Sequence, residues 1–174
     1  MIGDLAVLFG LKSSGIYRAL SHIETLRIPE ILFKEFVHRN ELTEQLKKTH
    51  EITEFLQQTW LFVESISSPV QSQIAQNMKL NNYSKGEKID YNGLMLVKEG
   101  KVELSGLPSC RSSDNHVISK GDFWGGENMI TSKTSKSLAK AVSRAKVYSI
   151  TDTEILKQIP IIRWKLLEQS QKRV

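Results

Sequence analysis

Leu94-Met95-Leu96-Val97-Lys98-Glu99-Gly100-Lys101-Val102-Glu103-Leu104 is the stretch whose pattern decides the architecture. Its first four residues have the apolar density of a buried strand. Lys98 to Lys101 punctuate it around a glycine, and Val102 to Leu104 alternate as a half-buried strand should. Toward the C-terminus the same pattern repeats. Gly106 to Asn115 hold glycine, proline, serines and Asp114 and predict a loop. His116-Val117-Ile118 restarts a strand, Lys120-Gly121-Asp122 ends it, and Ala139 to Ile150 alternates through Ala141, Val147 and Tyr148. Short strands with turn signals every ~8–12 residues predict a β-sandwich or β-barrel. Gly100 and Gly121 are expected to close hairpins that need positive φ, and Gly86 to turn the chain between strands.

Toward the N-terminus the period changes to that of helix. Asn81 to Gly86 is turn-rich, and Ser68-Pro69 reads as a cap followed by proline in the first turn. Ile66, Val70, Ile74 and Met78 follow at four-residue spacing. Pro29 opens a longer helical pattern over 30–61, with room for one break between Val37 and Glu41. Ser13 or Ser14 can cap a further segment from Gly15 to Leu26, where Ile16, Ala19, Leu20 and Ile23 recur at helical spacing. A helical hairpin this polar must bury its stripe against the rest of the chain or a second copy. At the other end, Thr151-Asp152-Thr153-Glu154 has capping-box spacing. A closing helix with Ile155, Leu156, Leu166 and Leu167 follows, broken at Pro160.

The 174 residues are 40% hydrophobic and 25% charged, which is globular composition rather than disorder. A single cysteine, Cys110, excludes an internal disulfide and a multi-cysteine metal centre. The apolar run Leu5 to Phe9 is too short to span a bilayer and lacks the basic flank of a signal peptide, so a cytoplasmic setting is expected. The net charge of +5 is uneven. Residues 1–63 carry 7 basic and 8 acidic side chains, whereas 64–174 carry 17 and 11. Lys133, Lys136, Lys140, Arg144 and Lys146 fall between Asn128 and Ile150 with no acid among them. Such a run is either a solvated face or an anion site.

The order of these elements resembles the cyclic nucleotide-binding domain family, found in catabolite-activator-type regulators, cyclic-nucleotide-dependent kinases and gated channels. The resemblance covers residues 55–168. It rests on Trp60-Leu61-Phe62 with Ile74-Ala75, on Gly86 to Ile89, on Val97 to Leu104, on Gly121-Asp122-Phe123-Trp124-Gly125-Gly126-Glu127, and on Ala141 to Ile150. It implies an α+β fold: a β jelly roll or barrel with an N-terminal helical hairpin and C-terminal helices. The division implied is a helical extension over 1–54 and the nucleotide-binding-like domain over 55–174.

In the family a short helix and an arginine hold the cyclic phosphate, and a glutamate takes the ribose hydroxyl. Here Gly126-Glu127 matches the glycine–glutamate pair, preceded by Trp124-Gly125. Nine residues after Glu127 stands Lys136, then Ser137, where the family has arginine. A lysine neutralises phosphate as a point charge but loses the bidentate geometry. Backbone amides from Gly125 to Asn128 would form an anion nest. The resemblance thus implies a degenerate cassette of Gly125, Gly126, Glu127, Asn128, Lys136 and Ser137, with cAMP or cGMP as ligand and no other cofactor. A register one residue along would put Gly126 in place of the glutamate and Ser135 in place of the arginine, leaving no site. The hairpin between Ile89 and Leu94 is also shorter than in the family.

His22, His38, His50 and His116 have no ligand spacing, so a cupin-type metal enzyme is not expected. No nucleophile–histidine arrangement stands out, and Cys110 reads as a bystander. About two dozen residues follow Thr151, too few for a winged helix-turn-helix, and the acidic N-terminal part argues against major-groove docking. Trp60 and Trp164 are expected to pack helices onto the barrel, and Trp124 to fill the space a purine would occupy. The sequence therefore points to a non-catalytic regulatory sensor. It would be a piece of a larger signalling or transport protein, coupling a small phosphate-containing ligand to movement of the helices around 52–62 and 154–169. The alternative is an interaction scaffold with a vestigial pocket. A homodimer through the N-terminal helices and an effector elsewhere are the expected partners, without DNA binding or membrane insertion.

Overall fold

The computed structural model describes residues 3–10, 12, 16–63, 66–106, 116–126 and 138–172. The chain divides into two compact units, 1–51 and 52–174. The first holds α1 (Asp4–Phe9), α2 (Glu30–Arg39) and the start of α3 (Thr43–Gln57). The break foreseen within 30–61 falls at 40–42 and is a Schellman cap. Leu42 N–H donates to the Val37 carbonyl and Glu41 N–H to that of His38, with Glu41 at φ 55.

The helix expected over 15–26 is absent: residues 16–29 carry neither helix nor strand. The physical reason is that its stripe has nothing to cover. Ile16, Leu20 and Leu26 are almost wholly exposed, and a short helix without a packed face is marginal in water. The helical arm is instead built from α2 and α3.

In the second unit, α4 (Ser68–Gln76) starts one residue after its cap position, Ser67, with Pro69 in the first turn. Among the described residues eight strands follow: β1 (Met78–Tyr83), β2 (Lys88–Ile89), β3 (Leu94–Glu99), β4 (Val102–Ser105), β5 (His116–Ile118), β6 (Phe123–Trp124), β7 (Leu138–Ala141) and β8 (Ala145–Ile150). The helices α5 (Glu154–Lys157) and α6 (Pro160–Lys172) close the unit. The strands form two antiparallel four-stranded sheets, ordered β1-β8-β3-β6 and β2-β7-β4-β5.

Gly100, Gly121 and Gly86 all take positive φ, as expected. However, Gly100 and Gly121 do not close hairpins within a sheet. β3 and β6 belong to one sheet and β4 and β5 to the other, so both turns are corners where the chain changes layer. The alternating run Ala139 to Ile150 is likewise two strands, β7 and β8, in different sheets. Asn81 to Tyr83, read as a turn, are strand. They pair along β8 from Asn81↔Val147 to Tyr83↔Ala145, and Asn81 Nδ2 donates to Ser149 Oγ at 3.0 Å.

The first sheet is covered on both faces. On β3, Met95 and Val97 join Val102, Leu104, Ile118, Ala139, Ala141 and Val147 in the core between the sheets. Leu94 and Leu96 face the other way, into a core with Leu56, Phe62, Ile74, Leu156, Ile162 and Leu166. This explains why β3 reads as an apolar run while β4 and β7 alternate. The helical layer is thereby fixed directly on the sheet that carries β6.

Candidate functional site

The candidate cassette begins where β6 ends. Phe123 and Trp124 are both buried, and the period-two alternation of a strand sends them to opposite faces. Phe123 lies in the helix-side core and Trp124 in the core between the sheets. Gly125 follows at φ 82. A Cβ there would run into the Gly93 carbonyl oxygen and lie 3.1 Å from the Tyr91 ring. At Gly126 a Cβ would sit 2.5 Å from Leu166 Cδ2 and 3.3 Å from Leu94 Cδ1. Gly125 needs glycine for both space and conformation, because its obstacle is backbone, whereas at Gly126 the obstacle is the end of a leucine side chain that can shift.

Three contacts hold this corner. Trp124, 1% exposed, meets Tyr91 edge-on with ring centroids 5.9 Å apart and planes at 76°. Phe123 stacks on Trp60 at 6.3 Å and 6°. Leu166 of α6 covers Gly126. The end of β6 is therefore in touch with the turn after α3 and with the closing helix at once. Trp124 Nε1 is buried with no hydrogen-bond partner among the described residues.

Of the six residues expected to bind ligand, Gly125 and Gly126 are adjacent at this corner. Glu127, Asn128, Lys136 and Ser137 lie outside the described residues, as do Lys133 and Cys110. Of the remaining basic residues of the run, Lys140 and Lys146 lie on strands of different sheets, and Arg144 and Lys146 both act on Glu99. Lys140 is exposed on β7 between Ala139 and Ala141, which face the inter-sheet core. It therefore points outward, opposite Lys88 and Glu103 in register. Lys146 is 2.6 Å from Glu99. That hydrogen bond, with the charges of Lys146, Lys98 and Arg144, holds the Glu99 carboxyl below the usual glutamate range. Tyr83 is shifted the other way, its phenol raised by burial and then by Glu87 and Asp90.

Trp60 does join the turn to the sheet, through Phe123. Trp164 does not pack onto the barrel: it is 58% exposed. On α6 the inward positions are Ile162, Lys165 and Leu166, and Trp164 and Leu167 fall outside that face. Sequence reasoning missed Tyr91, which nothing in its local pattern marks, and Lys165, which is 8% exposed. For Lys165 there was a signal, because it stands three residues after Ile162 and one before Leu166 on the apolar stripe. Among the described residues no group of three or more His, Cys, Asp or Glu side chains gathers as a metal site. No helix among them is long and apolar enough to cross a membrane.

No family model and no curated protein matches the sequence. Solved structures do. The regulatory domain of Toxoplasma gondii PKA, crystallised with cAMP, is 14% identical with a TM-score of 0.61, over 73% of this chain and 51% of that one. A mutant regulatory subunit of a cAMP-independent protein kinase A from Trypanosoma brucei, bound to cAMP in its A site, is 14% identical. Its TM-score is 0.62, over 79% of this chain and 53% of that one. The sensor domain of the transcriptional regulator DNR from Pseudomonas aeruginosa is 17% identical with a TM-score of 0.58, over 72% and 89%. The chain spans about half the length of three of the kinase regulatory chains it matches. The likeness shows the fold: a jelly roll with helical flanks, as in cyclic nucleotide-binding regulatory domains.

Proposed function

We propose that this jelly roll is a non-catalytic regulatory module of a larger assembly. Its degenerate cassette takes a small phosphate-containing ligand and passes the event to the flanking helices. The observation that carries the reading is the corner at the end of β6. Phe123 bears on Trp60 of the turn after α3, and Gly126 bears on Leu166 of α6. An anion that displaced Gly125 or Gly126 would press on one or both helical neighbours, because packed interiors transmit such shifts. Cyclic AMP and cyclic GMP are the first ligands to test. Glu127 would accept from a sugar hydroxyl, and Lys136 would neutralise the phosphate without the bidentate fork of an arginine. Affinity below that of an arginine site follows.

A second reading is favoured by Trp124. Its indole, packed against Tyr91, occupies the core between the sheets, where a purine would compete with it. On that reading the module is an interaction scaffold with a filled pocket. Titration calorimetry with cyclic AMP, cyclic GMP and cyclic dinucleotides separates the two. The sensor reading expects heat that Lys136→Ala reduces by about tenfold in affinity, the weight of one charged hydrogen bond. No heat at millimolar nucleotide, with phosphate binding unaltered in Lys136→Ala, would leave the scaffold. Pairing of two chains through the N-terminal helices is proposed on the exposed Ile31, Leu32 and Phe36 of α2. Light scattering of the wild type against Leu32→Glu and Phe36→Glu tests it.

A further inference from the structure

Lys165 is a cationic side chain held inside an apolar layer. It is 8% exposed, between Ile162 and Leu166, both of which are in the helix-side core. A charge there is stable only if its solvation is replaced by fixed dipoles. The turn after α3 supplies them. Lys165 Nζ donates to the Trp60 carbonyl at 2.6 Å and to the Val63 carbonyl at 3.1 Å. It also lies 5.3 Å from the centroid of the Trp60 ring. The neighbouring carbonyls of Phe62 and Ile66 accept from Gln71 Nε2 at 3.5 and 3.1 Å, so α4 braces the same turn. Trp60 is therefore gripped from two sides, by the ammonium of α6 and by the Phe123 ring of β6. One residue along α6, Leu166 rests on Gly126. Turn, closing helix and the start of the cassette form a closed circuit of contacts in which Lys165 is the polar joint.

We propose that Lys165 is a positioning residue, a latch that holds α6 against the turn after α3 and so fixes the corner from Phe123 to Gly126. The proposal rests on the regulatory reading above for its purpose. Its physical content is that opening this joint frees α6 while the sheets stay folded. An apolar residue at 165 would keep the stem's packing and lose the joint. A merely structural lysine would instead lower the stability of the whole unit evenly.

Hydrogen exchange on the full chain, without ligand, distinguishes these. In Lys165→Met the amides of 161–168 are expected to exchange about ten- to hundredfold faster, the population change that one or two charge-assisted hydrogen bonds carry. The amides of β8 should keep their wild-type protection. Lys165→Arg, which retains charge and donors, should return the α6 amides toward wild type. Unchanged exchange in α6, or the same acceleration in α6 and β8, would overturn the proposal. Should Lys165→Met not fold, Lys165→Gln carries the same comparison. Because no nucleotide is present, the outcome is independent of whether the cassette binds one.

Discussion

Trp124 carries an unsatisfied polar group and Gly125 a position closed to any side chain, and the cost of each can be measured. The indole N–H of Trp124 is buried without an acceptor among the described residues, a defect worth about 1–3 kcal/mol. Trp124→Phe removes that defect together with part of the ring, so the two effects offset. It should cost under ~1.5 kcal/mol, against about 3–5 kcal/mol for Trp124→Ala. Urea unfolding with unchanged m-value checks the pair, and equal losses in both variants would contradict the role given to the unpartnered N–H. At Gly125 the difficulty is both conformation and space, whereas Gly86 has the same sign of φ with nothing within 4 Å of its Cβ position. Gly86→Ala should therefore cost only the left-handed penalty, about 1–2 kcal/mol. Gly125→Ala should cost a further 1–3 kcal/mol or so for pushing on the Gly93 carbonyl. These residues were legible because composition marks them: a tryptophan between a phenylalanine and two glycines is conspicuous in any reading. Tyr91 was not, and Lys165 only through its place on the apolar stripe of α6, since what each touches is brought together only by the fold.

Helices and strands were legible where the local pattern and the tertiary partner agree. Strand β3 shows it well: Leu94 to Val97 read as buried because a helical layer covers one face and the second sheet the other. Where pattern and partner disagree, the partner decides. The stretch 15–26 has helical spacing, yet Ile16, Leu20 and Leu26 are almost wholly exposed, and 16–29 stays irregular. Asn81 and Asn82 have turn chemistry and become strand, because β8 offers them a ladder and Ser149 a side-chain bond. The corners at Gly100 and Gly121 were misread as hairpins for a similar reason, since a glycine with positive φ fits either and only the pairing of the strands tells them apart. The junction of α2 and α3 is the element where one substitution should help. Glu41 occupies the left-handed position of a Schellman cap, where glycine fits without strain. Glu41→Gly should raise stability by about 1 kcal/mol, provided the cap is kept, and thermal unfolding followed at 222 nm would show it. A destabilised Glu41→Gly would mean that the carboxylate does more at this junction than tolerate its backbone.

Among the described residues, the positive charge that raised the question of an anion partner is divided between the sheets, with Lys140 on one and Lys146 on the other. Lys140 faces outward and Lys146 is held by Glu99 across the β3–β8 pair, so the anion-binding reading rests on residues 127–137 and not on the run as a whole. The same placement makes a prediction about pH. The carboxyl of Glu99 titrates lower in the folded chain than in the unfolded one, through its bond to Lys146. Its contribution is present above the unfolded glutamate range and is lost as pH falls through the depressed folded value. Tyr83 is the reverse case. Its phenol is raised above 10.0 by burial, so its contribution is full below that value and is lost as pH climbs through the folded value. The expected profile of the urea midpoint therefore falls at both ends. Glu99→Gln should shallow the acid limb alone, and Tyr83→Phe the alkaline limb alone, because the two groups titrate far apart. The Glu99–Lys146 pair is exposed and screened, so its limb should also shrink in high salt, whereas the limb set mainly by burial of Tyr83 should not. If salt flattened both limbs equally, desolvation would not be the main cause at Tyr83. The phenol's shift would then belong to the charges of Glu87 and Asp90.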